Sequence, residues 1–171
     1  MRHLRRLLVA VLGAVSLVGV AGASVSAHEG GTLVEFDSMT GVSAAVAAAQ
    51  LPNDRGIKPG GLPWVIASGT GEVDRRGNIH VEVRGLIIPT LTPPRNPIAT
   101  FNATVSCVTT HGVVVNLTTG PFAATRPGGD ATINATVALP HPCKHPEVFV
   151  GTVNAAGAFV WFAMSNAEDD D

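Results

Sequence analysis

Tyrosine is absent from the 171-residue sequence, tryptophan occurs twice, and aromatic residues make up only 5% of the chain. So little π surface, with no basic patch interleaved with aromatics, argues against a nucleic-acid partner. It is equally poor material for stacking sugars. Hydrolytic signatures are missing too. There is no Gly-x-Ser-x-Gly elbow, and His28-Glu29-Gly30-Gly31 lacks the second histidine of the zinc-protease helix motif. After the first 27 residues no apolar run approaches the roughly 20 residues that cross a bilayer, so no membrane span is expected in the mature chain. Charged residues make up 14% of the sequence, and there are only two cysteines.

The amino terminus is Met1-Arg2-His3-Leu4-Arg5-Arg6 followed by a short apolar run from Leu7 to Val20. That order of basic, apolar and small residues predicts a signal peptide over residues 1–27. Small-x-small sites lie after Ala23 and after Ala27, and the second is favoured. Cleavage removes Arg2, Arg5 and Arg6, so the 11 basic residues fall to 8 against 13 acids. The product is expected to be secreted or held at the cell envelope, from a bacterial source given the arginine-rich leader. About 144 residues remain, enough for one domain over residues 28–167. Glu168-Asp169-Asp170-Asp171 reads as a solvated acidic tail over 168–171.

Within that domain the patterned segments alternate with period two. Ile79, Val81 and Val83 alternate with His80, Glu82 and Arg84; Phe101, Ala103, Val105 and Cys107 alternate with Asn102, Thr104 and Ser106; residues 131–139 repeat the pattern. Val113–Leu117, Glu147–Val150 and Ala158–Ala163 read as further strands, the last apolar on both faces and so central. Gly77 and Gly157 suit the hairpin turns between them. The expectation is an all-β fold, one β-sandwich or partly open barrel of about seven to eight strands, with less than about a fifth helix. Gly41–Gln50 is alanine-rich and admits a short helix, but the region reads as mostly irregular. The proline-rich stretch from Ile88 to Pro97 reads as a crossover between sheets or an exposed loop.

In an exported chain with two cysteines, Cys107 and Cys143 are expected to pair, closing a loop of about 36 residues worth about 3 kcal/mol on the chain-entropy model. The competing reading is a metal site from Cys107-x3-His111 and His141-x-Cys143-x-His145, whose spacing is not a standard zinc pattern. Glu35 with Asp37, and Glu72 with Asp74, sit at i, i+2 beside turns, where solvated carboxylates are expected rather than an acid and base pair. Asn102, Asn116 and Asn134 each begin an Asn-x-Thr triplet, read as the outer face of strands rather than as glycosylation sites.

Phe36-Asp37-Ser38-Met39-Thr40, Gly60–Ile66, Val105-Ser106-Cys107, Thr119–Phe122 and Leu139-Pro140-x-Pro142-Cys143 together resemble a group of exported bacterial proteins to which no activity is assigned. A slighter likeness, through Gly69–Val73 leading to Val81–Leu86, is to CHRD-type secreted domains, whose histidine-containing pattern is missing here. If cleavage follows Ala27, His28 becomes the amino terminus. It then resembles, in that one residue, the copper-binding terminal histidine of lytic polysaccharide monooxygenases and periplasmic copper-resistance carriers. Two functions follow as expectations: an exported non-catalytic binding or structural domain with no cofactor, or a copper-binding or oxidative protein using His28 with a second imidazole from His80, His111, His141 or His145. Gly30 and Gly31 raise the entropy lost in fixing the terminus, which favours the first.

Overall fold

The computed structural model describes residues 31–166; the expected leader over residues 1–27, His28 and the expected acidic tail over 168–171 lie outside them. The fold is all-β, with two sheets, one disulfide and no closed barrel. The first sheet has the order β1 (Thr32–Phe36), β4 (Ser68–Asp74), β5 (Asn78–Arg84), β9 (Ala131–Thr136). The second runs β2 (Met39–Gly41), β11 (Phe159–Ser165), β10 (Lys144–Val153), β6 (Thr100–Val108), β7 (Val114–Thr118). On its flanks, β3 (Lys58–Pro59) also pairs β11 and β8 (Phe122–Ala123) also pairs β6. The only parallel pairing among the described strands is β3 with β11.

Eleven strands replace the expected seven to eight, and the excess has a simple cause. β2, β3 and β8 span two or three residues each, too short to display a period of two, and β1 is patterned on one buried residue, Phe36. The alternating segments behave as their pattern requires. Val73, Ile79, Val81, Val83 and Ile133 face Phe101, Ala103, Val105, Val148 and Val150 across the sandwich, all of them buried. β11 has neighbours on both edges, and successive residues Trp161, Phe162 and Ala163 are buried, so both of its apolar faces are covered.

The segment from Gly41 to Gln50 contains one short helix, α1 (Ala44–Ala49). Ser43 caps it by accepting from the Val46 N–H, and Gln50 ends it in the left-handed conformation two residues before Pro52. In the proline-rich stretch Ile88 bridges to Arg95, closing a loop on the path from β5 in one sheet to β6 in the other. Asn96, buried just beyond it, is held by its amide to the carbonyls of Ile98 and Thr125. Both hairpins form at the anticipated glycines. Gly77 has φ +88° and Gly157 φ +79°, and in each turn an Asx side chain, Asp74 or Asn154, accepts two backbone N–H groups.

One face departs from its pattern. Asn102, Thr104 and Ser106, the polar side of β6, are buried rather than solvated. Asn102 donates to the Thr119 carbonyl, and Thr104 shares a hydroxyl hydrogen bond with Thr118. Ser106 lies in register between Glu147 and Asn116, and both of those side chains bond to Arg55 from the segment before β3. That segment is a strap across the outside of the larger sheet. Arg55 is 7% exposed, donating to Glu147 Oε1 at 2.9 Å and to the His145 carbonyl at 2.8 Å.

Candidate functional site

One set of exposed titratable groups lies on the outer face of the four-stranded sheet, because residues 80, 82 and 84 of β5 point away from the core formed by 79, 81 and 83. Strand register then extends that face into a row. Glu35 of β1 stands opposite Glu72 of β4, Glu72 opposite His80 of β5, and His80 opposite Asn134 of β9. All four are exposed. Glu35, Asp37, Glu72 and His80 also line a shallow depression of about 310 Å³, floored by Phe36, Thr70 and Gly71.

Polar contacts orient one end of the row. His80 Nδ1 lies 2.6 Å from Asn134 Oδ1, so with the amide oxygen accepting, the proton sits on Nδ1 and Nε2 faces Glu82 at 3.8 Å. Glu82 in turn reaches Arg84 at 3.6 Å. The other end is unlike this: Glu35 and Glu72 are like charges placed directly opposite, an arrangement that opposes pairing of the strands. Asp74 belongs to the hairpin rather than to the row. Burial pushes its carboxyl up, but the Asn78 amide and the N–H groups of Asn78, Arg76 and Gly77 together outweigh this and hold it below the ordinary carboxylate value.

The structure separates the other candidates. Cys107 and Cys143 form the disulfide, which removes both thiolates from the alternative metal site. The bridge joins β6 to the residue just before β10, on the path where those strands pair. Among the described residues no three His, Cys, Asp or Glu side chains are grouped closely enough to hold a metal. His80 lies on the four-stranded sheet, His111 in the β6–β7 turn, and His141 and His145 on either side of Cys143. His141 lines a depression of about 130 Å³ with Leu33 and Arg75. Of the Asn-x-Thr asparagines, Asn102 is buried, whereas Asn116 and Asn134 are exposed and bonded to Arg55 and His80.

A larger concavity of about 590 Å³ lies at one end of the sandwich, where Met39, Val42, Pro63, Trp64, Val65 and Ile66 contribute an apolar lining. Its wall is largely the end of the core: Val42 and Trp64 are buried, and Trp64 stacks on Phe162 with ring centroids 4.0 Å apart. Sequence patterning missed two features. The row depends on register between strands far apart in the chain, and Arg55 stands in a segment with no periodicity. No family model, curated protein or solved structure matches the chain.

Proposed function

We propose that the protein is an exported, non-catalytic binding domain whose ligand-facing surface is the outer face of the four-stranded sheet, and that the ligand presents cationic groups. The observation that carries this reading is the direct opposition of Glu35 and Glu72 beside Asp37 in one depression. Opposed carboxylates reduce the stability of a sheet by several tenths of a kcal/mol, roughly, and a bound cation reverses the sign of that contribution. The side chains are open to water, which suits recognition rather than the desolvated acid and base chemistry of a catalytic site. The disulfide and the leader-like amino terminus support export.

Hexalysine is a suitable probe of the face. Calorimetric titration is expected to show salt-sensitive binding, weakened about fivefold or more by Glu35→Gln with Glu72→Gln. Equal affinity in the double variant, or no binding at low ionic strength, overturns the reading.

A second reading, copper binding through His28, is favoured by one observation. The Arg75 N–H donates to the Gly31 carbonyl at 3.0 Å, and Arg75 lines the same depression as His141. His141 shares that depression with Arg75, so this reading assigns His141 as the second imidazole beside His28. One-to-one Cu(II) binding abolished by both His28→Ala and His141→Ala supports it; retention of binding in the His141 variant refutes it.

A further inference from the structure

The edges of the two sheets are not equally protected. Unpaired edge strands template association, and proteins blunt them with charge, proline, bulges or brevity. β1 carries Glu35 and a register irregularity between Thr32 and Val34. β2 and β3 have three and two residues, and β3 contains Lys58 and Pro59. β9 (Ala131–Thr136), the other edge of the four-stranded sheet, has no charge, proline or bulge within it but follows directly on Asp130. β7 has none of these devices, within it or beside it. Its register with β6 runs without a shift from Val114 to Thr118, and the stretch Thr109–Thr125 contains no Asp, Glu, Lys or Arg.

The hydrogen-bond pattern shows which backbone groups of β7 face outward. The Thr109 N–H donates to the Val113 carbonyl and the Thr119 N–H to the Ala103 carbonyl. In an antiparallel ladder these fix the odd-numbered residues of β7 as those bonded to β6. The N–H and C=O groups of Val114, Asn116 and Thr118 therefore point away from the sheet, where no described strand pairs with them. Val113 is 57% exposed at the start of this edge, and Val114, Val115 and Leu117 are part-exposed.

We infer that β7 pairs with β7 of a second copy of this chain, antiparallel about a two-fold axis through Asn116, joining the larger sheets of two molecules into one. The outward groups are spaced evenly on either side of Asn116, so an antiparallel copy presents Asn116 to Asn116 and Val114 to Thr118. Each outward donor then meets an acceptor. The absence of Asp, Glu, Lys and Arg lets the edge meet a second copy of itself without like-charge repulsion. The interface is isologous, and it leaves the face bearing Glu35 and Glu72 free on the opposite sheet.

Sedimentation velocity of the exported, processed protein between about 1 and 500 µM tests this, because a weak dimer shows itself through concentration dependence. A reversible monomer–dimer equilibrium is expected. Asn116→Lys and Asn116→Asp each place like charges directly opposite across the axis and shift the midpoint to higher concentration by about fivefold or more. An equimolar mixture of the two variants recovers the dimer as a mixed species. Val114→Pro removes an outward N–H but none of the β6 ladder, so it weakens the dimer while near-ultraviolet circular dichroism of the monomer stays unchanged. A wild type that is monomeric throughout, a dimer indifferent to all three substitutions, or a mixture that does not reassociate overturns the inference.

Discussion

Arg55→Ala removes the one buried cation of the described residues, and the structure allows its cost to be worked out. The guanidinium holds Glu147 and the His145 carbonyl through one nitrogen, Nη2. The Glu147 side chain is 21% exposed, so deleting its partner leaves a carboxylate mostly withdrawn from water. Breaking such a pair from one side costs about 3–5 kcal/mol, and the residual exposure of Glu147 places the expectation near about 3. For a domain of this length that is roughly a 10 °C fall in Tm. The pair is not itself strongly stabilising, because Arg55 Nη1, Glu147 Oε2 and Ser106 Oγ are buried with no hydrogen-bond partner among the described residues. Arg55→Met combined with Glu147→Leu should therefore recover most of the loss. The exposed Glu82–Arg84 pair is the control: its removal should cost less than about 1 kcal/mol. Urea unfolding followed by far-ultraviolet circular dichroism measures all four proteins. A loss below about 1 kcal/mol for Arg55→Ala refutes the claim that the strap is clamped by this side chain.

Three further outcomes follow from individual residues. Thiol titration of the protein in denaturant should find no reactive cysteine until reductant is added, and reduction should cost about 3–4 kcal/mol for a separation of 36 residues. Because the folded carboxyl of Asp74 titrates below its unfolded value, its charge contributes stability above the unfolded pKa that is lost as pH falls through the folded one. The deficit of Asp74→Asn should be full above about pH 5 and shrink as the pH is lowered further, as chemical denaturation across an acid pH series will reveal. Gly77→Ala should lower stability by more than about 1 kcal/mol, since φ is +88° there and the added Cβ collides with the Val137 carbonyl; an unchanged denaturation midpoint contradicts it.

How far the sequence could be read depended on whether a feature was local. The β4–β5 and β10–β11 hairpins were legible because Asp74–Gly77 and Asn154–Gly157 carry their own turn chemistry. The disulfide was legible because two cysteines leave only one intramolecular pairing. The polar side of β6 was misread as solvated, since Asn102, Thr104 and Ser106 alternate as a wet face does. What buries Ser106 is a strap some 50 residues earlier, whose Ile57 and Arg55 show no period. The carboxylates of the candidate site were noticed as Glu35 with Asp37 and Glu72 with Asp74, neighbours along the chain. The relevant neighbours lie across it, and only register sets Glu35 against Glu72 and Glu72 against His80.

The proposed ligand-facing surface, the outer face of the four-stranded sheet, is open to a direct test. Backbone amide shifts of the isotope-labelled protein, recorded during titration with hexalysine at low ionic strength, locate binding residue by residue. The prediction is that perturbations concentrate at Glu35, Asp37, Glu72 and His80 and fade as salt is raised, while Trp64 and Val65 beside the apolar concavity stay unmoved. Perturbations confined to Trp64 and Val65, or scattered evenly over the surface, contradict it.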